Sequence, residues 1–445
     1  MEIKKYLTKA VPFRNGCSAD DMRLSPSTPV ESQDVGPQGM SVLTTVLFTV
    51  GYSVGAGVLG LPHALCGTGW VGIIIFCVCA LASMFTADLL GRCLVLVLER
   101  HSEQQDILRY PYPAIGQAAY GNRLRLMISV GIDVSMLGQG VVYLLMASQN
   151  MSELVSNLHV DIPKCFWQLI ICAVICPVCW CGTPKDFWLI GVGAAGSIAA
   201  ACVLLLIAMG RDAPQLSPSY DSPFKWTTFL MSFGMIFFAF GSHPSLPTFQ
   251  ADMKQPNKFN LVCLISYSSL SIIYIVMAVE GFLVYGSKVQ PSIVMSMMPG
   301  PMLVAVQILV TIHLLCAFVI VTNPVCQEGE EILKISPYFS YQRILFRTCV
   351  VCLALFIALS IPQFGAIMSL VGGSSIAVLM FVVPPVCYLK LCSMKGPWEP
   401  IEVPLHEKVA CVEIIIVGAA LGASITATAL EALVYSEFSK PCYLS

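Results

Sequence analysis

From Ser41 onward the chain alternates long apolar stretches with short polar connections. A helix needs about 20 mostly apolar residues to cross a bilayer. Such stretches run at about 41–64, 69–98, 124–152, 165–182, 187–209, 227–249, 259–284, 302–322, 344–361, 363–389 and 409–431, and only Pro362 and its neighbours divide the ninth from the tenth. The pattern predicts an all-α polytopic membrane protein with about eleven transmembrane helices. Residues 1–40 hold Lys, Arg, Asp, Ser and Pro without a long apolar run, which predicts a disordered cytosolic tail. No apolar core follows the charged start, so no signal peptide is expected. Residues 432–445 are expected to form a short extracytosolic tail.

Composition sharpens this. Of 445 residues, 56% are hydrophobic and 11% charged, with a mean hydropathy of +0.78. A soluble chain of this size needs far more polar surface. Net charge is −2, so nucleic acid is not expected as a partner. Most of the 20 cysteines sit inside apolar runs, where they read as small core residues rather than a disulfide scaffold. Cys172, Cys176, Cys179 and Cys181 cluster, but no second pair follows to complete a zinc site. They read as thiols at the membrane boundary, with palmitoylation as the alternative. No metal or cofactor is expected.

Orientation follows from the basic residues. With the amino terminus inside and each span switching sides, the outer segments hold Lys164, Arg211, Lys225, Lys288 and Lys440, leaving nineteen of the 24 Lys and Arg for the inner side. That asymmetry fits the positive-inside rule, with an extracytosolic carboxyl terminus. The sequon Asn150-Met151-Ser152 falls at the outer end of span three, close to lipid.

Spans one and six are interrupted alike. The first reads Gly51-Tyr52-Ser53-Val54-Gly55-Ala56-Gly57-Val58-Leu59-Gly60-Leu61-Pro62, and the sixth Phe238-Ala239-Phe240-Gly241-Ser242-His243-Pro244-Ser245-Leu246-Pro247. Glycine weakens a helix and proline removes a backbone donor. Freed backbone groups are tolerated in lipid only where they line a cavity. Paired interruptions at matching places in two five-span halves point to a transporter binding site near the midplane. Free amides near Gly55–Gly57 would hold a carboxylate, and carbonyls near Phe238–Gly241 would accept from an ammonium group. Two ordinary proline-kinked helices are the competing reading.

These residues also carry a likeness. GAGVLGLPHAL (55–65), GTGWVG (67–72), YPAIGQAAYG (112–121), FGMIFFAFGSHPSLPTFQADMKQPNKF (233–259) and IPQFGAIMSLVGGSSIAVLMFVVPP (361–385) make the chain resemble the amino acid/auxin permease family, and within it the vesicular inhibitory amino acid (GABA/glycine) transporter branch and its invertebrate relatives. The Gly55-Ala56-Gly57 break departs from the vesicular GABA transporter itself. The resemblance implies a sodium:leucine-symporter-like fold: an inverted five-plus-five repeat, here about 41–209 and 227–389, with broken helices 1 and 6 and an extra helix at about 409–431. It implies secondary active transport of amino acids by alternating access, driven by protons in this branch and by sodium in a neighbouring one. Carried over residue by residue, the substrate site falls on Gly55, Ala56, Gly57 and Val58 in span one and on Phe240, Gly241 and Ser242 in span six. Some relatives join outer loops by a disulfide; the loop after span seven has no cysteine here, so that bridge is not expected.

An ionised side chain at mid-membrane costs about 2.5–3.5 kcal/mol on insertion scales, so each one asks for a reason. Asp133 in span three is a candidate for carrying the coupling proton; pairing with Arg92 or Arg125 near the cytosolic mouth is the alternative. His243, inside the second break, is a candidate beside a purely structural reading. For His313 in span eight a packed, neutral role is expected, and His63 is expected to be solvated near the outer end. Thr311, Thr322 and Asn323 are the oxygen donors a sodium site would draw on, and Tyr143 in span three is placed to cap a substrate. Proton coupling is the expectation and sodium coupling the alternative. An amino acid sensor built on the same fold is the rival from another class. A channel lacks a repeated polar stripe, and an enzyme lacks any nucleophile–base pair or metal-ligand pattern, so the chain is not expected to be an enzyme. Which amino acid, which membrane and which oligomeric state stay open.

Overall fold

A computed structural model describes residues 39–100, 109–156, 162–181, 188–220, 224–336, 338–398, 401–435 and 442. The tail expected at 1–40 lies outside them apart from Gly39 and Met40, as does most of 432–445.

Among the described residues every regular element is a helix, and the one β contact is an isolated bridge between Met40 and Met253. Span one is two helices, α1 (Val42–Ser53) and α2 (Ala56–Thr68), bent by 58° at the break. Then follow α3 (Val71–Arg100), the short α4 (Pro111–Tyr120), α5 (Asn122–Ser156), α6 (Lys164–Trp180) and α7 (Trp188–Asp212). Span six is again divided, into α8 (Trp226–Ala239) and α9 (Leu246–Ala251). After it come α10 (Phe259–Tyr285), α11 (Pro301–Ile332), α12 (Tyr341–Ser360), α13 (Phe364–Val371), α14 (Val383–Ser393) and α15 (Leu405–Tyr435). Among the described residues eight helices are long and apolar enough to cross a bilayer, with Phe364–Ser393 taken as one span, and the bent pair makes a ninth. Lys164–Trp180 and Trp226–Ala239 are shorter apolar helices, and with them the expected eleven are reached.

Local chemistry explains these elements in a solvent without water. Along α1, Thr45, Thr49 and Ser53 each return their hydroxyl to the carbonyl four residues earlier, so the polar side chains bring no unpaired group into lipid. Ser41 caps the same helix through the Thr44 amide at 3.1 Å. Leu43, Leu47 and Phe48 stay exposed on its flank, where acyl chains replace protein.

The helices pack in two groups. One joins α1, α2, α3, α8 and α10; the other joins α5, α6, α11 and α12, with α7 along α11. Between α13 and α14 the chain widens into π turns at Gly372–Ile376 and Val378–Val382, where the sequence pattern predicts plain helix. A side chain on Gly372 would fall 2.0 Å from the Gly234 carbonyl, so span ten needs glycine to lie against α8. The extra helix α15 packs on α8, α13 and the π turns.

One finding corrects the reading of the cysteines. Cys165, at the start of α6, is joined by a disulfide to Cys442 in the carboxyl-terminal tail, and the Cys442 amide reaches the Leu359 carbonyl at the end of α12. Asn150 is 1% exposed within α5, which places the sequon inside packed helix. At the opposite end of the same spans, the nearly sealed Arg347 guanidinium pairs with Glu330 at 2.5 Å and donates to Asn323 and to the carbonyls of Cys179 and Cys181. Those carbonyls are left over where α6 ends, three residues past Pro177.

Cys442→Ser should free one additional thiol, at Cys165. The check is mass spectrometry after alkylation of unreduced protein: a Cys165 already alkylated in the unsubstituted protein would contradict the bridge.

Candidate functional site

The two breaks meet. Helix α1 runs out at Val54, whose amide still reaches Val50, and Gly55 turns the chain with φ −133° and ψ −140°. Gly55 offers no side chain to cap α2, so the first amides of that helix point out unpaired by any cap. Glycine is required two residues on for another reason. A Cβ on Gly57 would lie 2.7 Å from the Ala239 Cα, so the backbones of the two broken spans are in direct contact there.

In span six, Phe240 closes the last α-turn onto Ile236, and then Gly241 reaches Phe238 and Ser242 reaches Phe240. The carbonyls expected to be bare are therefore partly used. Each carbonyl keeps a second lone pair, so the end of α8 still presents acceptors.

Tyr274 of α10 ties the breaks together. Its hydroxyl lies 2.8 Å from the Ser53 carbonyl and 2.9 Å from the Ala239 carbonyl, one donor shared between the last residues of two half-helices. The phenol is fully buried, with the Phe240 ring edge-on against it at 5.1 Å.

A small cavity of about 10 Å³, room for about one water, lies between the breaks. From span one it is lined by Tyr52, Ser53, Gly55, Ala56 and Gly57, from α5 by Gln139 and Tyr143, and from span six by Phe238, Ala239, Gly241 and Ser242. No acidic or basic side chain is among them.

Of the residues expected to bind substrate, Gly55, Ala56, Gly57, Gly241, Ser242 and Tyr143 line this space. Val58 and Phe240 stand behind it, 0% and 1% exposed. Phe238 and Ala239, expected only through their carbonyls, line it as well; Tyr52, Ser53 and Gln139 join it without having been expected, the first two legible as part of the break and Gln139 only as one amide in an apolar span.

His243 lies outside the cavity lining, in a closed polar chain. Thr86 donates to the Ala82 carbonyl, so it accepts from His243 Nε2 at 3.0 Å. Nδ1 is left to accept from Tyr267 at 3.4 Å, and Tyr267 in turn lies 3.2 Å from Ser242 Oγ. This tautomer leaves neither ring nitrogen open. Asp133 also lies away from the cavity. Arg92 pairs with Asp88 and Glu407, and Arg125 donates to Gln117, so neither holds Asp133. One Asp133 oxygen is buried without a hydrogen bond, and Glu328, which accepts from Ser129, acts on it through space. His63 is half-buried with Nδ1 3.0 Å from the Val289 carbonyl, rather than solvated. Of the oxygen donors weighed for sodium, Asn323 serves Arg347 and Thr322 serves Phe318, while Thr311 is buried without a partner.

Residues 38–430 match the family described as Transmembrane amino acid transporter protein. The chain belongs to that family. Arabidopsis thaliana amino acid transporter AVT1E is 27% identical over 404 residues, covering 88% of this chain and 73% of the relative. For Arabidopsis AVT1J the figures are 27% over 369 residues, 80% and 85%. The likeness supports the amino acid/auxin permease family and does not select the vesicular inhibitory branch. Among solved structures, the Eremococcus coleocola manganese transporter superposes with a TM-score of 0.56 at 13% identity, covering 96% of this chain and 94% of that one. MhsT in complex with L-phenylalanine gives 0.50 at 13%, covering 88% and 99%. These show the sodium:leucine-symporter-like fold. The family is one of transporters, not enzymes.

Two substitutions probe the geometry. Gly57→Val drives a branched side chain into the Ala239 backbone and should abolish substrate binding in protein that still reaches its membrane; binding at unchanged affinity would refute the close approach. Tyr274→Phe takes the hydroxyl from both carbonyls: that of Ser53 keeps the Gly55 amide at 3.0 Å, while that of Ala239 loses its donor, worth about 1–3 kcal/mol when buried. It should lower the melting temperature of detergent-solubilised protein and weaken substrate binding, and an unchanged melt would show that the breaks do not depend on it.

Proposed function

We propose that the chain carries a small, neutral amino acid across a membrane, coupled to protons, with the solute held between the two breaks. The carboxylate sits at the first amides of α2, where the helix dipole adds partial positive charge. The ammonium group faces the carbonyls that end α8. Tyr143 and Gln139 close the third side. The observation that carries this reading is that two half-helix ends of opposite polarity open into one small cavity with no Asp, Glu, Lys, Arg or His in its lining. A cationic or anionic side chain would enter it without a countercharge, which argues for a neutral solute. MhsT, of the same fold, holds L-phenylalanine.

Access alternates in this proposal by movement of the half-helices about the breaks. One end is held by two backbone bonds, from Met40 to the Asp252 carbonyl at 2.8 Å and from Lys254 to the Met40 carbonyl at 2.9 Å, together with the edge-on rings of Tyr52 and Phe249. The charge asymmetry supports reading this as the cytosolic end. The disulfide supports the same orientation, because Cys165 and Cys442 both fall on the side assigned as extracytosolic, where thiols oxidise.

The test is uptake of a panel of radiolabelled amino acids by proteoliposomes across pH and sodium conditions. Small neutral members should accumulate when the outer side is acid, with no need for sodium. Accumulation that follows a sodium gradient and ignores a pH gradient would overturn proton coupling, and binding without transport of any member would favour a sensor.

A further inference from the structure

His313 of α11 has a geometry that packing alone leaves unexplained. The side chain is 3% exposed. Its Nδ1 lies 2.9 Å from the Ala194 carbonyl on α7. A carbonyl only accepts, so the hydrogen of the neutral ring is on Nδ1 and Nε2 is a bare lone pair. That Nε2 is buried without any hydrogen-bond partner. It is aimed at the first break: a Cβ on Gly55 would sit 3.3 Å from Nε2 and 3.5 Å from the Tyr143 hydroxyl. The Tyr143 and His313 rings stand edge-on at 6.5 Å, and Tyr143 and Gly55 both line the cavity. An open acceptor is thus directed at the backbone turn where the solute carboxylate is placed.

We infer that His313 Nε2 is where the coupling proton binds, loaded together with an amino acid carboxylate at the start of α2. This rests on the site proposed above. A proton from water on the loading side forms an N–H bond at Nε2, giving an imidazolium that keeps its Nδ1–H on Ala194 and turns its new N–H toward Gly55. On the releasing side that bond breaks and the proton returns to water. No other bond changes. Carboxylate and imidazolium favour each other's arrival, and the linkage is reciprocal.

The surroundings leave this role to the solute. From α5 only the Tyr143 phenol is near; Asp133 and Glu153 are ten residues away in either direction, about 15 Å along the axis. From α7 comes the Ala194 carbonyl, with Arg211 and Asp212 about 25 Å on. On α11 itself the Cys316 thiol is close, and Glu328 and Glu330 lie about 22–25 Å toward the other end, the latter already holding Arg343 and Arg347 of α12. Helix α6 brings the thiols of Cys172, Cys176 and Cys179; spans α1 and α2 bring Tyr52 and, about 12 Å beyond Gly55, His63. Ile293–Ser296 brings nothing titratable. Among the described residues no ionised side chain acts on the ring, so the countercharge it meets is the one the amino acid carries.

The experiment uses full-length protein in proteoliposomes with an entrapped pH dye, and an equimolar mixture of radiolabelled glycine, alanine, serine and proline as probe. His313→Gln keeps a donor for Ala194 but cannot take a proton. It should lose pH-gradient-driven accumulation and the dye signal by on the order of tenfold. Exchange at equal pH on both sides should persist and become flat between about pH 5 and 8. Gradient-driven uptake that survives in His313→Gln would overturn the inference, as would equal loss of exchange and driven uptake in protein that melts normally. Should the glutamine variant fail to fold, His313→Asn is judged by the same two readouts. A wild type that exchanges amino acids but ignores the pH gradient also ends the inference while leaving the site intact. A wild type that exchanges none of the four, or exchange that survives Gly57→Val, removes the site itself.

Discussion

A bilayer gives the backbone nothing to bond with, and the whole site depends on how one phenol meets that constraint. Two spans stop winding near the midplane, which leaves the Ala239 carbonyl without a backbone donor and the Ser53 carbonyl with only the Gly55 amide. Tyr274 satisfies both with a single hydroxyl. Because it reaches across from a third, unbroken helix, it also fixes the distance between the breaks. The cavity is the space left over once those two ends are held.

Close approach does the rest. Gly57 against the Ala239 backbone and Gly372 against the Gly234 carbonyl bring α2, α8 and span ten together with no side chains between them. In lipid there is no hydrophobic gain from joining apolar helices, so van der Waals contact between bare backbones carries the association. Larger residues at these places would push the half-helices apart and widen the gap that the phenol bridges. The π turns of span ten belong to the same adjustment, since they keep Ile376 packed against Gly241 while the chain passes α8.

The fold was legible because its governing signal is one-dimensional. Apolar length sets the spans, glycine and proline set the breaks, and the likeness to a permease family orders them into repeats. Within the site, glycine-rich segments declared themselves for the same reason, as departures from helix. What stayed hidden depends on distance between residues far apart in the chain. Tyr274 is one aromatic among several in an apolar span, and nothing local says that its hydroxyl crosses to Ser53, 221 residues earlier. His243 looked open because it sits in a break, yet Thr86 and Tyr267 occupy both its nitrogens. His313 looked packed because it sits in unbroken helix, yet one nitrogen is unpaired. The bridge from Cys165 had a signal of its own: those two cysteines lie at or beyond the ends of apolar runs on the same expected side.

The two ends of the site are closed by different means, and this bears on how the proposed cycle would turn. Between Met40 and Lys254 the closure is a pair of backbone bonds at the rim, with Lys254 exposed. Water can replace such bonds one for one, so parting them costs about 1 kcal/mol each. At the other end α2 is pressed against α8 and α10 by Gly57, Gly60 and Pro62, with Gly281 under the proline ring. Opening there means separating packed surface with no polar partner waiting. The end that carries the basic residues is therefore the easier to open from this arrangement. The movement would be a swing of α1 and α9 about their breaks while Tyr274 holds the midplane, leaving the outer half-helices in place until the solute has gone.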